Sequence, residues 1–254
     1  MTNCIRSGSR AVGPLAVLAL LGACADLPQD GSLIADPYER LNRDFHEFNK
    51  GFDGVILRPA SRLYVTVTPE LIRFLIANGV ANLELPVDAL NLFLQGKLEL
   101  ALITVGRFGF NTVFGAAGLL DPATDFGLKR YNTDFGETLH VWGAKEGAYV
   151  ELPLLGPSTE RDTVGRVVDF VLSPTTYITG SPEAETILVL RAADIVGDRA
   201  AATSELDPIL YDSPDSYTEL KTTYVQFRRR QLSGAPDDSA LPEIFEEEPA
   251  APSE

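Results

Sequence analysis

The stretch from Leu85 to Leu120 limits most strongly what this chain can fold into. It reads LPVDALNLFLQGKLELALITVGRFGFNTVFGAAGLL, and its apolar side chains cover most of a helix circumference. A helix that is apolar all round is buried in a large core or faces lipid. Gly96, Gly106 and Gly109 interrupt the stretch, and no apolar run reaches the roughly 18 residues typical of a membrane-spanning helix. Helices in or near the membrane plane and a buried helical hairpin both remain open.

Helix-start motifs recur along the chain. A Ser, Thr or Asp precedes a Pro and an acid at 36–39, 68–70, 181–183 and 213–215, and Thr159 precedes Asp162. Such residues supply an N-cap and a proline at the first helical position. The pattern predicts helices over 37–53, 69–80, 85–95, 97–113, 134–142, 159–172, 183–200 and 214–232. The best strand candidate is 148–155, so the predicted fold class is mainly α, a single helical domain with little or no β.

The first residues are typical of an export sequence. Arg6 and Arg10 precede the apolar run AVGPLAVLALL, and Leu-Gly-Ala-Cys follows at 21–24. This order predicts a lipoprotein signal peptide over 1–23 and a lipidated Cys24. Cys4 would leave with the signal peptide, so the mature chain would hold no disulfide, and we expect packing alone to stabilise it. Residues 24–35 are predicted to be a lipidated tether.

The charge of the chain is acidic. It has 36 Asp and Glu against 21 Lys and Arg, a net charge of -15, which does not suit a nucleic-acid partner. The basic run Arg228, Arg229 and Arg230 falls near the end of a predicted helix, where cations complement the helix dipole. The segment 233–254 carries acids and no base, so we predict an acidic disordered tail.

Motifs for catalysis or metal binding are scarce. The mature chain contains only His46 and His140, and it has no H-E-x-x-H, C-x-x-C or G-x-S-x-G. Ser158 is the one candidate nucleophile, beside His140 and Asp162 in sequence, but Gly-Pro-Ser-Thr is typical of a turn that leads into a helix cap. We therefore predict no catalytic residues, no metal, no cofactor and no enzyme.

An aromatic stripe marks the first predicted helix. Phe45, Phe48 and Phe52 recur at helical spacing, and Asn42, Arg43 and Asn49 flank them. A stripe of this period is most often part of a core, but it also fits a partner or lipid.

These motifs together resemble the MlaA/VacJ family of outer-membrane lipoproteins. The matching residues run from about 36 to 175: Asp36, Pro37, Glu39, Asn42, Arg43, Phe45, Phe48, Asn49, Asn91, 94–97, Arg107, Phe108, Asn111, Thr112, Gly115, Gly118, Leu119, Asp121, Ala123, 134–143 and 152–162. One departure is Ala148, where the family usually has Pro.

The resemblance implies a non-enzymatic phospholipid transporter. Its helical domain, 36–232, would form a ring-like bundle of amphipathic helices in the inner leaflet of a Gram-negative outer membrane, on the periplasmic face and lipid-anchored. It would remove mislocalised phospholipids from the outer leaflet through an amphipathic channel and pass them to a soluble periplasmic lipid carrier of the Mla pathway. A trimeric outer-membrane porin is the second implied partner, and Ala25 after Cys24 favours sorting to the outer membrane.

The residues suggest a lipid path. An apolar wall for acyl tails would come from Phe45, Phe48 and Phe52, and polar contacts with the head from Asn42, Arg43 and Asn49. Gly115 and Gly118 would let a loop gate the channel. Two alternatives remain open: the stripe packs in a core, or the protein is a structural or adaptor lipoprotein that anchors a porin or periplasmic partner without moving lipid.

Overall fold

The computed structural model describes residues 33–178 and 182–234. The predicted signal peptide, nearly all of the tether and nearly all of the acidic tail lie outside these residues. The α-helices are α1 (Glu39–Phe52), α2 (Arg58–Val67), α3 (Glu70–Leu94), α4 (Leu98–Phe114), α5 (Pro122–Asp125), α6 (Phe135–Val141), α7 (Glu160–Leu172), α8 (Pro182–Ala201), α9 (Thr203–Asp207) and α10 (Ser216–Leu232). Shorter helical turns are π-helical over Asp53–Leu57 and Pro208–Asp212 and 3-10 over Pro174–Tyr177.

The β structure of the described residues is one antiparallel hairpin. Strand β1 (Tyr149–Leu152) pairs with β2 (Gly156–Thr159). The strand candidate at 148–155 therefore contains β1 and the turn, while β2 was not predicted. The mainly α class with little β is confirmed.

Three predicted helix starts have a side-chain cap within two residues of the predicted position. Thr159 caps α7 by accepting from the Asp162 N–H, and Asp134 caps α6 in the same way. The cap of α10 is Asp215, two residues after the predicted Ser213. The start predicted at Ser181 lies outside the described residues.

The starts predicted at 36 and 68 are wrong in detail. α1 begins at Glu39 and α3 at Glu70, and neither has a side-chain cap. The Asp36 carboxylate accepts from Asn42 and Lys221 instead, each at 2.8 Å. A charged tertiary partner holds a carboxylate more strongly than a backbone N–H at an exposed helix end.

Two predicted helix ends are also wrong. The segments 69–80 and 85–95 form one helix, α3, which continues through Pro86. The helix predicted to end at 53 continues through a π-helical turn into α2. Asp53 in that turn is buried and accepts from Arg199 at 2.6 and 2.9 Å. This tertiary ion pair stabilises a turn that local propensity disfavours.

The elements form a closed circuit. α1 leads through the π-helical turn to α2, α2 contacts α8, α8 contacts α3, and α3 contacts α6. α6 packs on α7, α7 contacts the hairpin, and β1 returns to α1. α4 lies against α3, and α10 contacts β2. The ring-like bundle implied by the family resemblance is therefore present.

The polarity of the circuit is partly inverted relative to a water-soluble bundle: among the described residues more polar than apolar side chains are buried, although Leu85, Leu92 and Tyr149 are buried too. The buried side chains include Asn42, His46, Asp53, Asn82, Asp88, Asn91, Gln95, Thr104, Arg107 and Asn111. Large apolar side chains on the same helices and on α2 are exposed, among them Leu41, Phe48, Leu63, Leu71, Phe74, Phe93, Leu102, Val105, Val113 and Phe114. Exposed apolar surface of this extent marks contact with a membrane or a partner. None of the described helices is both long and apolar enough to cross a bilayer.

Candidate functional site

A cavity of about 440 Å³ opens within the circuit. This volume lies in the range of small-ligand sites, roughly 300–1,000 Å³. Its lining comes from α3, α7, α8 and the segment before α6: Glu84, Val87, Asp88, Arg130, Asn132, Thr133, Arg166, Asp169, Phe170, Ser173 and Arg191. Six of these residues carry ionisable side chains, so the cavity is charged, whereas the outer faces of the helices are apolar.

Two carboxyl groups of the cavity, those of Asp88 and Asp169, are unusually hard to ionise. Burial raises the pKa of Asp88 to about 7, and the nearby Glu84 and Asp169 add to the rise. Burial also raises the pKa of Asp169, although the Phe135 N–H and the Asn91 amide donate to it at 2.9 and 2.8 Å. Shifts of this kind cluster at functional sites, where burial and neighbouring charges are arranged for a task.

The arginines of the cavity differ in their partners. Arg130 pairs with Glu84 at 3.2 Å. Arg166 donates to the carbonyl oxygens of Leu155 and Pro157, at 3.2 and 3.0 Å. Arg191 donates to the Thr175 hydroxyl at 3.0 Å. Within 33–178 and 182–234, neither Arg166 nor Arg191 forms a salt bridge to a carboxylate.

The structure places Asn42 in the interior, where it holds strand β1. Its amide group donates to Asp36 at 2.8 Å and to the Tyr149 carbonyl at 3.1 Å, and its oxygen accepts from the Glu151 N–H at 2.9 Å. The side chain is 1% exposed. Asn42 therefore supports the hairpin and does not line the cavity.

Asn49 continues this role two turns later. It donates to the Leu152 carbonyl at 2.9 Å and to Glu151 at 3.2 Å, and it accepts from the Leu154 N–H at 2.7 Å. His46 lies between the two asparagines and contacts Ser216 at 2.9 Å. The polar stripe of α1 thus joins the helix to the hairpin and to α10.

Arg43 also contacts residues of its own chain and does not line the cavity. It donates to Glu39 at 2.8 Å and to Asp215 at 3.0 Å, and its guanidinium lies 4.4 Å from the centre of the Tyr217 ring. These hydrogen bonds raise the pKa of Arg43 and hold the pKa of Asp215 well below its usual value.

The phenylalanines of α1 lie on a different face of the helix from this polar stripe. Phe48 is 52% exposed, and Phe45 and Phe52 are half-buried. The core interpretation is therefore wrong for Phe48. The sequence pattern predicted the stripe, but only the tertiary structure shows that Phe48 is exposed.

Gly115 and Gly118 lie in the loop between α4 and α5. Gly118 has φ +92°, and a Cβ there would clash with the Asn82 side chain. A Cβ on Gly115 would clash with the carbonyl oxygens of Asn111 and Leu120. Both positions therefore require glycine: Gly115 because two backbone carbonyl oxygens approach it, and Gly118 because of its positive φ and the nearby Asn82 side chain.

The end of this loop is anchored to α4. Arg107 is buried and pairs with Asp121, and Asn111 donates to the same carboxylate at 2.8 Å. The Asn111 oxygen accepts from the Ala123 N–H at 3.0 Å. These are the residues of the matching motif around Arg107, and they connect α4 to α5.

The arginines near the end of α10 do more than complement its dipole. Arg228 is buried and donates to Asp134 at 2.7 Å and to Asp162 at 3.2 Å, and Arg229 pairs with Glu146. The expectation that packing alone stabilises the chain is wrong, because buried ion pairs join the elements. Asp162 is committed to this network, which lowers its pKa.

Ser158 has a structural environment. It is buried in β2 and accepts from the Thr163 hydroxyl at 3.0 Å. No His140–Ser158 hydrogen bond joins a triad within the described residues, and these residues hold no cluster of three or more His, Cys, Asp or Glu suited to a metal.

Sequence reasoning missed the residues of the cavity. Asp88, which lines the cavity, and Asn91, which donates to the cavity residue Asp169, were visible as polar residues one turn apart within an apolar helix. That spacing shows that they share a face, but not what the face contacts. Arg166, Asp169 and Arg191 come from other helices, and only the closed circuit brings them to the same cavity.

The fold and site define a class: a ring of helices with an apolar exterior, a polar interior and a charged cavity. The family model described as MlaA lipoprotein matches residues 34–231, and the chain belongs to that family. It is 31% identical over 211 residues to the intermembrane phospholipid transport system lipoprotein MlaA of Escherichia coli (strain K12), covering 82% of each chain.

Further relatives agree with this assignment. The protein of the same name in Haemophilus influenzae is 31% identical over 195 residues, covering 75% of this chain and 76% of that one. A solved structure described as "Structural basis for maintenance of bacterial outer membrane lipid asymmetry" matches with a TM-score of 0.67 and 31% identity. The match covers 78% of this chain and 99% of the other.

Proposed function

We propose that this protein removes mislocalised phospholipids from the outer leaflet of the outer membrane and passes them inward, which maintains lipid asymmetry. The observation that carries this proposal is the inverted polarity of the circuit around a charged cavity. A phospholipid needs an apolar environment for its tails and polar groups for its head, and this arrangement offers both. The relatives named for intermembrane phospholipid transport support it.

The position in the cell is part of the proposal. Lipidation of Cys24 would anchor the chain at the periplasmic face of the outer membrane, and the exposed apolar faces would place the ring in the inner leaflet. The exterior also offers surface for a trimeric porin. A soluble periplasmic carrier would receive the lipid, and transport needs no bond to be made or broken.

We assign distinct roles to the candidate residues. Phe45, Phe48 and Phe52 would contact acyl tails, because their face of α1 is not the one that holds the hairpin. Asn42 and Asn49 would position that face, since their amide groups are occupied by β1 and the turn after it.

The remaining candidates lie beside these elements. Arg43 would hold α1 against α10 through Asp215. The loop containing Gly115 and Gly118 would gate the path, because its backbone geometry admits few other residues.

The test is complementation of a strain that lacks this gene. Wild type should restore the detergent barrier and low surface phospholipid, whereas Phe48→Asp should not, at equal protein levels. Thr223→Asp, an exposed change on α10, is the matched control and should complement. An unimpaired barrier with Phe48→Asp would count against the role of the stripe.

Co-purified lipid separates transport from an adaptor role. The detergent-solubilised protein should carry phospholipid that mass spectrometry identifies, whereas an adaptor that only anchors a porin should carry none. Cys24→Ala should abolish incorporation of labelled palmitate, and retained label would exclude Cys24 as the lipidated residue.

A further inference from the structure

We propose that the cavity selects phospholipids by their headgroup and takes an amine-bearing, zwitterionic headgroup such as phosphoethanolamine. Arg166 and Arg191 would bind the phosphate, and Asp88 would bind the ammonium group. This inference rests on the proposed function and adds a substrate class to it. Two observations support it: acidic and basic side chains line the same cavity, and Arg166 and Arg191 form no salt bridge within the described residues.

The cationic side of the cavity suits a phosphate. Arg166 and Arg191 line it from α7 and α8, and neither forms a salt bridge in the part of the chain that the structure describes. The Nε of Arg191 is buried without a hydrogen-bond partner. A buried guanidinium N–H without an acceptor is costly, and a phosphate oxygen is its preferred partner.

The anionic side suits an ammonium group. Asp88 is 6% exposed, and its hydrogen bond in the structure is a long one, 3.4 Å from the Thr133 N–H. The carboxyl groups around it are Glu84 on the same helix and Asp169 on α7. Burial opposes ionisation of Asp88, and a bound cation would relieve this opposition.

The charged groups that face Asp88 come from every wall of the cavity. Glu84 and Asp169 are acids, and Arg130, which pairs with Glu84, approaches from the segment before α6. Arg166 and Arg191 complete the set from α7 and α8. Three acids and three arginines in one cavity match a ligand that carries both signs of charge.

An anionic headgroup without an amine fits this cavity less well. A phosphoglycerol headgroup would occupy the arginines but leave Asp88 without a cation, and the neighbouring acids would repel its charge. The cavity therefore favours ethanolamine over glycerol headgroups at a pH where Asp88 is ionised.

The experiment measures phospholipid bound to the full chain. The lipoprotein is purified in detergent and incubated with equimolar phosphatidylethanolamine and phosphatidylglycerol in mixed detergent micelles at pH 6 or pH 8. The protein is then re-isolated, and its bound lipid is quantified by mass spectrometry. Wild type should bind ethanolamine lipid in several-fold excess at pH 8 and in smaller excess at pH 6.

Two variants and two matched controls identify the groups. Asp88→Asn should lose the preference and its pH dependence while total bound lipid stays within about twofold, and Arg191→Gln should lower binding of both lipids severalfold. Asp44→Asn and Arg40→Gln change exposed residues of α1 and should behave as wild type.

The outcomes distinguish the inference from the function on which it rests. Phospholipid bound by the wild type in equal amounts, or a preference that survives Asp88→Asn, would overturn the headgroup inference alone. Wild-type protein that binds neither lipid would overturn the proposed function and the inference together.

Discussion

At the scale of single residues, the buried side chains of this protein are chiefly polar, and many of their contacts join two elements. Asn42 is the clearest case, because it bonds two main-chain groups of β1 that would otherwise be buried without partners, and Asn49 adds a bond to the partly buried Leu152 carbonyl. A buried main-chain group without a partner costs about 1–3 kcal/mol. Such residues are structural even where they belong to a family motif.

Replacing Asn42 should therefore destabilise the fold. Asn42→Ala removes hydrogen bonds to the Tyr149 carbonyl and the Glu151 N–H and should lower the free energy of unfolding by about 2–4 kcal/mol. Denaturation in detergent, followed by circular dichroism, measures the change. Gln226→Ala, which removes an exposed amide side chain on α10, should have almost no effect, and equal stabilities for the two variants would contradict the role of Asn42.

Asp88 should make stability depend on pH through its raised pKa. That pKa is about 7, so the folded state holds the proton more tightly than the unfolded state does. The stabilising contribution is complete below the ordinary aspartate pKa and is lost as pH rises to about 7. Asp88→Asn should therefore raise the free energy of unfolding at pH 8, on the order of 4 kcal/mol, and hardly change it at pH 4.

Unfolding of wild type and Asp88→Asn at the two pH values measures this difference. A variant that is less stable than wild type at pH 8 would show that Asp88 is a structural acid. Stabilisation by removal of a buried charge is expected where that charge serves binding and not the fold.

At the scale of elements, turns and loops carry the unusual backbone. The π-helical turn at Asp53–Leu57 is held by Asp53 and Arg199. In the loop after α4, Ala116 and Ala117 have φ of +53° and +59°, and Gly118 follows with +92°. Positive φ at consecutive residues other than glycine stores strain, which is typical of functional loops.

Gly109 on α4 and Gly118 in the loop after it should respond differently to alanine. Gly118→Ala places a Cβ against Asn82 at positive φ and should destabilise the protein by about 1–3 kcal/mol. Gly109→Ala meets no atom within 4 Å and should stabilise α4 by about 0.5–1 kcal/mol. Thermal denaturation of both variants, with the complementation assay, tests whether the loop conformation is needed for the barrier.

At the scale of the whole molecule, the circuit is assembled from the inside by polar contacts. The network of Arg228 with Asp134 and Asp162 joins α10, α6 and α7. Apolar side chains are left on the outside, as expected where lipid replaces water as the solvent of the exterior.

Charges on the outer face should weaken membrane binding without unfolding the ring. Leu102 and Val113 are 72% and 71% exposed on α4. In a Cys24→Ala background, Leu102→Asp with Val113→Asp should reduce flotation with phospholipid vesicles at least about tenfold. Thr223→Asp in the same background should float as the parent does, and unchanged flotation of the double variant would place the membrane contact elsewhere.

The predictability of the fold follows the range of the interactions. Most helices were predicted from periodicity, and the caps at Thr159 and Asp134 are local. The starts at Asp36 and Thr68 were wrong, and for Asp36 the reason is that its carboxylate binds residues on α1 and α10. Helix α2 was missed because its connection to α1 depends on Arg199, which is distant in sequence.

The candidate site was predictable only in part. Phe48 and its neighbours were proposed from their spacing and the glycines of the loop from the motif, and their part in a lipid path stays a prediction. The cavity was not predicted, because its arginines and acids come from three helices and an intervening segment. Its relation to the predicted stripe is indirect, through the hairpin that Asn42 and Asn49 hold.

The sequence by itself determined the helical class, most element positions and membership of a lipoprotein family, because helical periodicity, capping residues and motifs are local properties. The tertiary structure decided which face of each helix points inward. An amphipathic stripe is buried in a water-soluble bundle, whereas Phe48 is exposed in this structure. Which face points inward depends on the partners of the polar side chains: Asn42 bonds β1, and Asp88 lines the cavity. These partners are distant in sequence and reach the polar side chains only when the circuit closes.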